Sequence, residues 1–229
     1  MAVSKFSVET STNDMNLFYT FLNANKAGTF LENMEIELSE DSKTLTITSS
    51  KGTKITIVTG DTKQTFAVKF EGKITTNIMP YDTTGKLSRL TSALLCNNGI
   101  IVDMGGVITS TSYYHSPQVM ITVDNTGDLA VIFKNTTGLT DGNHDVSITS
   151  YRVTAADSTS QAVVTLTPQY GAQKTSLAPI VPMCNDNSIS LPYAYAALHT
   201  QASEMGLQSI AMDGFNYITN GCWYIKDGA

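Results

Sequence analysis

Residues 207–226 read LQSIAM-DG-FNYIT-NG-CWYIK, three short apolar runs separated by Asp213-Gly214 and Asn220-Gly221. Asp-Gly and Asn-Gly accept positive φ at both central positions of a type I′ turn, whose twist matches that of paired strands. The spacing predicts a three-stranded meander over 207–212, 215–219 and 222–226. Two-residue loops would set Met212 opposite Phe215, Ile210 opposite Tyr217, and Tyr217 opposite Tyr224. Ile218 and Trp223 would pair on the other face, with Ile225 beside them. Both faces carry apolar side chains, and a sheet of about fifteen residues cannot bury both by itself. The meander must therefore dock on the body of the chain or on another protein. Ile210, Met212, Phe215, Tyr217, Ile218, Trp223, Tyr224 and Ile225 are the candidate interface.

Upstream, Tyr193, Ala194, Ala197, Leu198, Gln201, Ala202 and Met205 fall at helical spacing between Pro192 and Gly206. Pro suits a first helical turn and Gly a C-terminal cap, so the pattern predicts a helix over 193–205. Helix and meander together form a small α+β tail module, 193–229. Four of the six prolines, at 168, 179, 182 and 192, precede it. Each fixes φ and lacks an amide donor, so 168–192 reads as an extended linker or arm.

The remainder is a β-rich body, 12–167, behind an N-terminal arm, 1–11. Leu17, Phe18, Phe21 and Leu22 recur at helical spacing and Gly28 follows, which predicts a helix near 12–25. From Phe30 the period changes to two. Met34, Ile36 and Leu38, then Leu45 and Ile47, then Ile55 and Ile57, then Phe66, Val68 and Phe70 alternate with Thr, Glu and Lys. That is a meander with one wet face. Leu87, Leu90, Leu94 and Leu95 fit a short helix near 86–96, ended by Asn97-Asn98-Gly99. Strands follow at 100–104, 107–114, 119–123, 129–133, 146–153 and 162–166. About ten short strands with two or three short helices point to a mainly β chain with an antiparallel sandwich or barrel-like body.

Composition agrees with this class. Of 229 residues, 41% are hydrophobic and only 15% charged, so Thr, Ser, Asn and Gly fill the solvent-facing positions. A net charge of −6 argues against coating nucleic acid, which needs clustered Lys and Arg. Cys96, Cys184 and Cys222 are far apart and odd in number, which argues for buried thiols over a disulfide framework or a zinc site. The start, MAVSKFSVE, lacks the apolar core of a secretion signal, and no run reaches bilayer-spanning length. The expectation is a chain made in a cytoplasm and not inserted in a membrane.

No G-x-S-x-G, H-E-x-x-H, G-x-x-x-x-G-K or G-x-G-x-x-G occurs, and His115, His144 and His199 stand apart. Asp141, Asn143 and Asp145 give the first alternating ligands of a calcium loop, but Val146 replaces its glycine and Arg152 its closing glutamate. A polar turn is the better reading. Asn135-Thr136-Thr137 has the form of a glycosylation sequon and is also read as a turn. Gly105-Gly106 reads as a bulge or turn within an apolar stretch. The chain is therefore expected to be no enzyme and to need no cofactor or metal.

The tail's aromatics, joined by Tyr193 and Tyr195, suit a protein–protein anchor, a sugar-binding platform, or packing of the tail on itself. The Thr/Ser/Asn/Gly-rich body, the Pro-rich arm, the segment QVMITVDNTGDLAVIF and the ending MDGFNYITNGCWYIKDG resemble structural proteins of tailed-bacteriophage virions, such as head-decoration, neck, tail and fibre-attachment components. That resemblance implies a non-enzymatic, multi-copy assembly protein of a virion, whose partners are copies of itself and other virion proteins. The alternative is an adhesion module for a host-surface glycan or receptor, with a glycan-degrading enzyme as the third class.

Overall fold

The computed structural model describes residues 3–7, 15–58, 67–71, 75–78, 90, 92–103, 118–136, 146–153, 161–166, 177–179, 191–197, 207–219 and 223–228. Among them the chain is mainly β, with antiparallel pairing throughout and one helix.

The chain starts with β1 (Ser4–Ser7) and α1 (Met15–Ala24). Met15, Phe18 and Leu22 recur at three and four residues, so one stripe of α1 is buried. Phe6 of β1 sets its ring 5.2 Å from Phe18 and 5.4 Å from Phe21, tying the helix to the strand. After α1 the chain turns at Gly28, whose φ of 71° costs a residue without Cβ little. The helix expected near 12–25 is present.

The period-two stretch forms β2 (Glu35–Leu38), β3 (Thr44–Thr48), β4 (Lys54–Val58), β5 (Ala67–Glu71) and β6 (Thr75–Ile78), hydrogen-bonded in sequence order. Ile36, Leu45, Ile47, Ile55, Ile57, Val68 and Phe70 are buried on its inner face, while Glu35, Glu37 and Lys54 are exposed. This meander follows directly from the alternation in the sequence.

A second sheet adds β7 (Ser92–Cys96), β8 (Gly99–Asp103), β9 (Gln118–Val123), β10 (Leu129–Thr136), β11 (Val146–Val153) and β12 (Gln161–Leu166), in the order β1-β7-β8-β9-β10-β11-β12. Its central strands are apolar at consecutive positions because both faces are buried. Ala93, Leu95, Ile100, Val102, Val119, Ile121, Leu129 and Val131 join α1 and the meander in one core. The alternate residues Leu94, Cys96, Ile101, Met120, Ala130 and Ile132 join Leu191, Ala194, Ile218 and Ile225 in another.

The same two-faced burial corrects one expectation. The segment 86–96 does not end in a helix: residues 92–96 form β7, and Asn97-Asn98 is the two-residue turn of the β7–β8 hairpin, with Cys96 opposite Gly99. Leu90, Leu94 and Leu95 imitate helical spacing because a strand between two cores needs apolar groups on both sides. Asn135 and Thr136, read as a turn, lie in β10 opposite Ser147 and Val146.

The tail sheet contains β13 (Leu177–Pro179), β14 (Ala194–Ala197), β15 (Gln208–Met212), β16 (Phe215–Thr219) and β17 (Trp223–Lys226), ordered β13-β14-β17-β16-β15. A helix over 193–205 is therefore not formed at its start. Residues 194–197 pair with β17 on one side and β13 on the other, and this pairing overrides the alanine-rich propensity. Pro179 ends an edge strand, where its missing donor is harmless. Among the described residues all three sheets are open, so the barrel alternative does not describe them.

The two layers that share α1's core are also joined by a polar clasp. The β3–β4 turn Ser49-Ser-Lys-Gly-Thr53 and the β9–β10 turn Asp124-Asn-Thr-Gly-Asp128 are built alike. In each, the fourth residue is a glycine at φ 84° or 77° whose amide donates to the first carbonyl. Asp128 is buried between them and accepts from Ser49 Oγ at 2.6 Å and Thr53 Oγ1 at 2.7 Å. Lys51 Nζ donates to the Thr126 carbonyl across the same junction at 2.6 Å.

Candidate functional site

The tail sheet begins from its tightest turn. Asp213 at φ 52° and Gly214 at φ 81° supply the two left-handed residues of a type I′ turn. Met212 consequently lies opposite Phe215 and Ile210 opposite Tyr217, as the sequence predicts. The second connection differs. Tyr217 faces Lys226, Ile218 faces Ile225 and Thr219 faces Tyr224, so every partner lies two positions beyond that of a two-residue loop. A slip of two residues preserves the faces, so Tyr217 and Tyr224 still share one and Ile218 and Ile225 the other. Trp223 pairs with Ala196 in β14 rather than with Ile218.

Ile218 and Ile225 lie against the chain's own second sheet, fully buried with Leu94, Ile101 and Met120. A Cβ placed on Gly99 would sit 2.7 Å from Ile225 Cδ1 and 2.8 Å from the Ile121 carbonyl oxygen, so only glycine admits this approach. Hydrogen bonds close the seam. The Asn97 amide donates to Asp227 Oδ1 at 2.9 Å, and Asn98 Nδ2 donates to the Lys226 carbonyl at 2.8 Å.

The opposite face is built from tyrosines. Tyr195, Tyr217 and Tyr224 stack edge to face, at 6.1 Å between the first two and 6.2 Å between the last two. Ile210 and Met212 pack beside them half-buried, and Phe215 remains 39% exposed. Lys226 Nζ sits 3.5 Å over the Phe215 ring, a cation–π contact at the rim. Burial, then the neighbouring Tyr195 and Asp213, raise the Tyr217 phenol above its ordinary range, so this phenol is neutral near pH 7. Such a surface can bind by apolar and aromatic contact.

Of the candidate interface, Ile218 and Ile225 thus cover the chain's own body, while Ile210, Met212, Phe215, Tyr217 and Tyr224 share the other face. Trp223 is placed by its backbone. Sequence reasoning missed Tyr195 as a strand residue of this face; its Tyr-Ala-Tyr-Ala alternation is a period-two signal that the helical reading absorbed. His115, His144, His199, Gly105-Gly106, and the Asp141, Asn143 and Asp145 triplet lie outside the described residues, as do Cys184 and Cys222. Among the described residues, no three His, Cys, Asp or Glu come close enough to hold a metal ion, and no helix is long and apolar enough to cross a membrane. A cavity of about 270 Å³ lies beside β1 and the β7–β8 turn, where Ser4 Oγ donates to Asn25 Oδ1 at 2.8 Å.

Compared with known proteins, the chain matches no family model, no curated protein and no solved structure.

Proposed function

We propose that the chain is a non-enzymatic structural and assembly component that acts by docking to other proteins, as part of a bacteriophage particle. One observation carries the docking half of this reading. The tail sheet uses its Ile218 and Ile225 face on its own body and presents Ile210, Met212 and Phe215 around a tyrosine cluster on the other. Aromatic and aliphatic side chains of this kind anchor protein interfaces, each contributing on the order of 2 kcal/mol when centrally buried. The particle half rests on the resemblance of body, arm and ending to virion structural proteins. Partners are then copies of the chain and neighbouring particle proteins.

The test is co-expression with the genes that flank this one, followed by sedimentation of the particles formed. The wild-type chain is expected in the particle fraction, and Met212→Glu with Phe215→Glu is expected to leave it while remaining folded. Specific glycan binding by the isolated chain, lost in the same variant without any effect on sedimentation, would transfer the site to the adhesion reading. Turnover of a polysaccharide would refute the non-enzymatic role.

A further inference from the structure

Strand β15 closes the tail sheet at one side: it bonds to β16 and, among the described residues, to no strand beyond it. The Asp213-Gly214 turn makes Met212 and Phe215 the closing pair, which exchanges both main-chain hydrogen bonds. Alternation then turns Met212, Ile210 and Gln208 toward β16 and points the amides and carbonyls of Ser209 and Ala211 outward. Ser209 and Ala211 are the exposed residues of the strand.

Edge strands of natural sheets are blunted with charge, proline or bulges. Among the described edges, β1 carries Lys5, β2 carries Glu35 and Glu37, and β13 ends in Pro179, whereas β6 (TTNI), β12 (QAVVTL) and β15 carry neither charge nor proline. β15 reads QSIAM and pairs in unbroken register. Among the described side chains, what singles it out is the half-buried pair Ile210 and Met212 beside exposed Phe215.

We infer that β15 pairs edge to edge with β15 of a second copy, joining two tail sheets across a two-fold axis. This deepens the assembly reading by naming its first partner. The charge pattern admits a copy of the chain. With a net charge of −6, two copies can meet closely only where like charges are not opposed, and 207–212 carries no charge. The strand is also complementary to itself. With Ile210 on the axis, Ser209 lies opposite Ala211 of the second copy and Gln208 opposite its Met212. The outward groups of Ser209 and Ala211 then form four main-chain bonds, and one row runs Tyr217, Ile210, Ile210 and Tyr217 across the seam. Parity permits this register because both bonded residues are the outward ones. A five-residue seam is a small interface, so the dimer depends on concentration.

The experiment uses the full chain with Cys184→Ser and Cys222→Ser. Ile210 of the two copies would be a non-bonded pair with Cα atoms about 4.5 Å apart, within disulfide reach. Ser209 of the two copies would be diagonal, about 7–8 Å apart and beyond it. Light scattering after size exclusion should show monomer passing to dimer with rising concentration. Under mild oxidation Ile210→Cys should give a covalent dimer and Ser209→Cys should not. Ala211→Pro removes only an outward donor, so it should keep the circular dichroism of the wild type and stay monomeric. A wild type that is monomeric at every concentration overturns the inference. So does a dimer in which Ile210→Cys fails to cross-link or Ser209→Cys links equally well. That dimer would leave the assembly reading standing and refute this seam.

Discussion

Replacing Ile225 with alanine tests whether the tail sheet is part of the folded body. Ile225 is fully buried between Ile218 on its own sheet and Gly99 of β8, with Leu94, Ile101 and Met120 in the same core. The change removes three buried carbons at about 0.8 kcal/mol each, and the two sheets cannot close on the void without breaking their ladders. The expected loss is therefore about 3–4 kcal/mol, a large part of the ~5–15 kcal/mol that holds a domain together. Urea unfolding followed by tryptophan fluorescence reads it directly, because Trp223 is the only tryptophan and lies in the same strand. Gly99→Ala attacks the contact from the other side. Ile225 can move away from the new methyl but the Ile121 carbonyl, at 2.8 Å, cannot, so a cost of about 1–3 kcal/mol is expected. In the double variant the methyl partly fills the void, so its cost should be less than the sum of the two single-variant costs. A loss below about 1 kcal/mol for Ile225→Ala, with Trp223 unfolding ahead of the rest, would refute the docking of tail on body.

Two further predictions concern buried groups. Cys96 lies in the same core, and burial pushes its thiol from 9.0 up to about 12. A thiol reagent near pH 8 should label it only through unfolding, and its contribution to stability should be complete below pH 9 and vanish as pH rises toward 12; labelling within seconds in the native state would contradict this. At the clasp, Asp128→Ala leaves the Ser49 and Thr53 hydroxyls without their acceptor, and a loss of about 3 kcal/mol is expected in chemical unfolding. An unchanged midpoint would show that water replaces the carboxylate at no cost.

Local chemistry was legible wherever a single residue pair or period decides the structure. Asp213-Gly214 fixed a hairpin and its register, and alternating Ile and Thr over 44–58 fixed two strands and their inward face. What the sequence hid were consequences of contact between distant parts. Leu90, Leu94 and Leu95 look helical until β7 is seen to lie between two cores. Ala194 to Ala197 favour a helix by propensity and become a strand because β17 and β13 offer hydrogen-bond partners on both sides. The fate of the tail was of the same kind. The sequence required that its two apolar faces be covered without saying by what, and the Gly99 notch that receives Ile225 has no local signature.

The most direct test of the central claim is removal of residues 169–229. The tail covers Leu94, Cys96, Ile101, Met120, Ala130 and Ile132, one face of strands β7 to β10 in the second sheet. The truncated chain should therefore bind a hydrophobic dye, associate non-specifically and lose cooperative unfolding, because one of its two cores is opened to water. A truncated chain that stays monomeric, silent toward the dye and cooperative would contradict the account, since the tail would then be an appendage and not a layer of the fold.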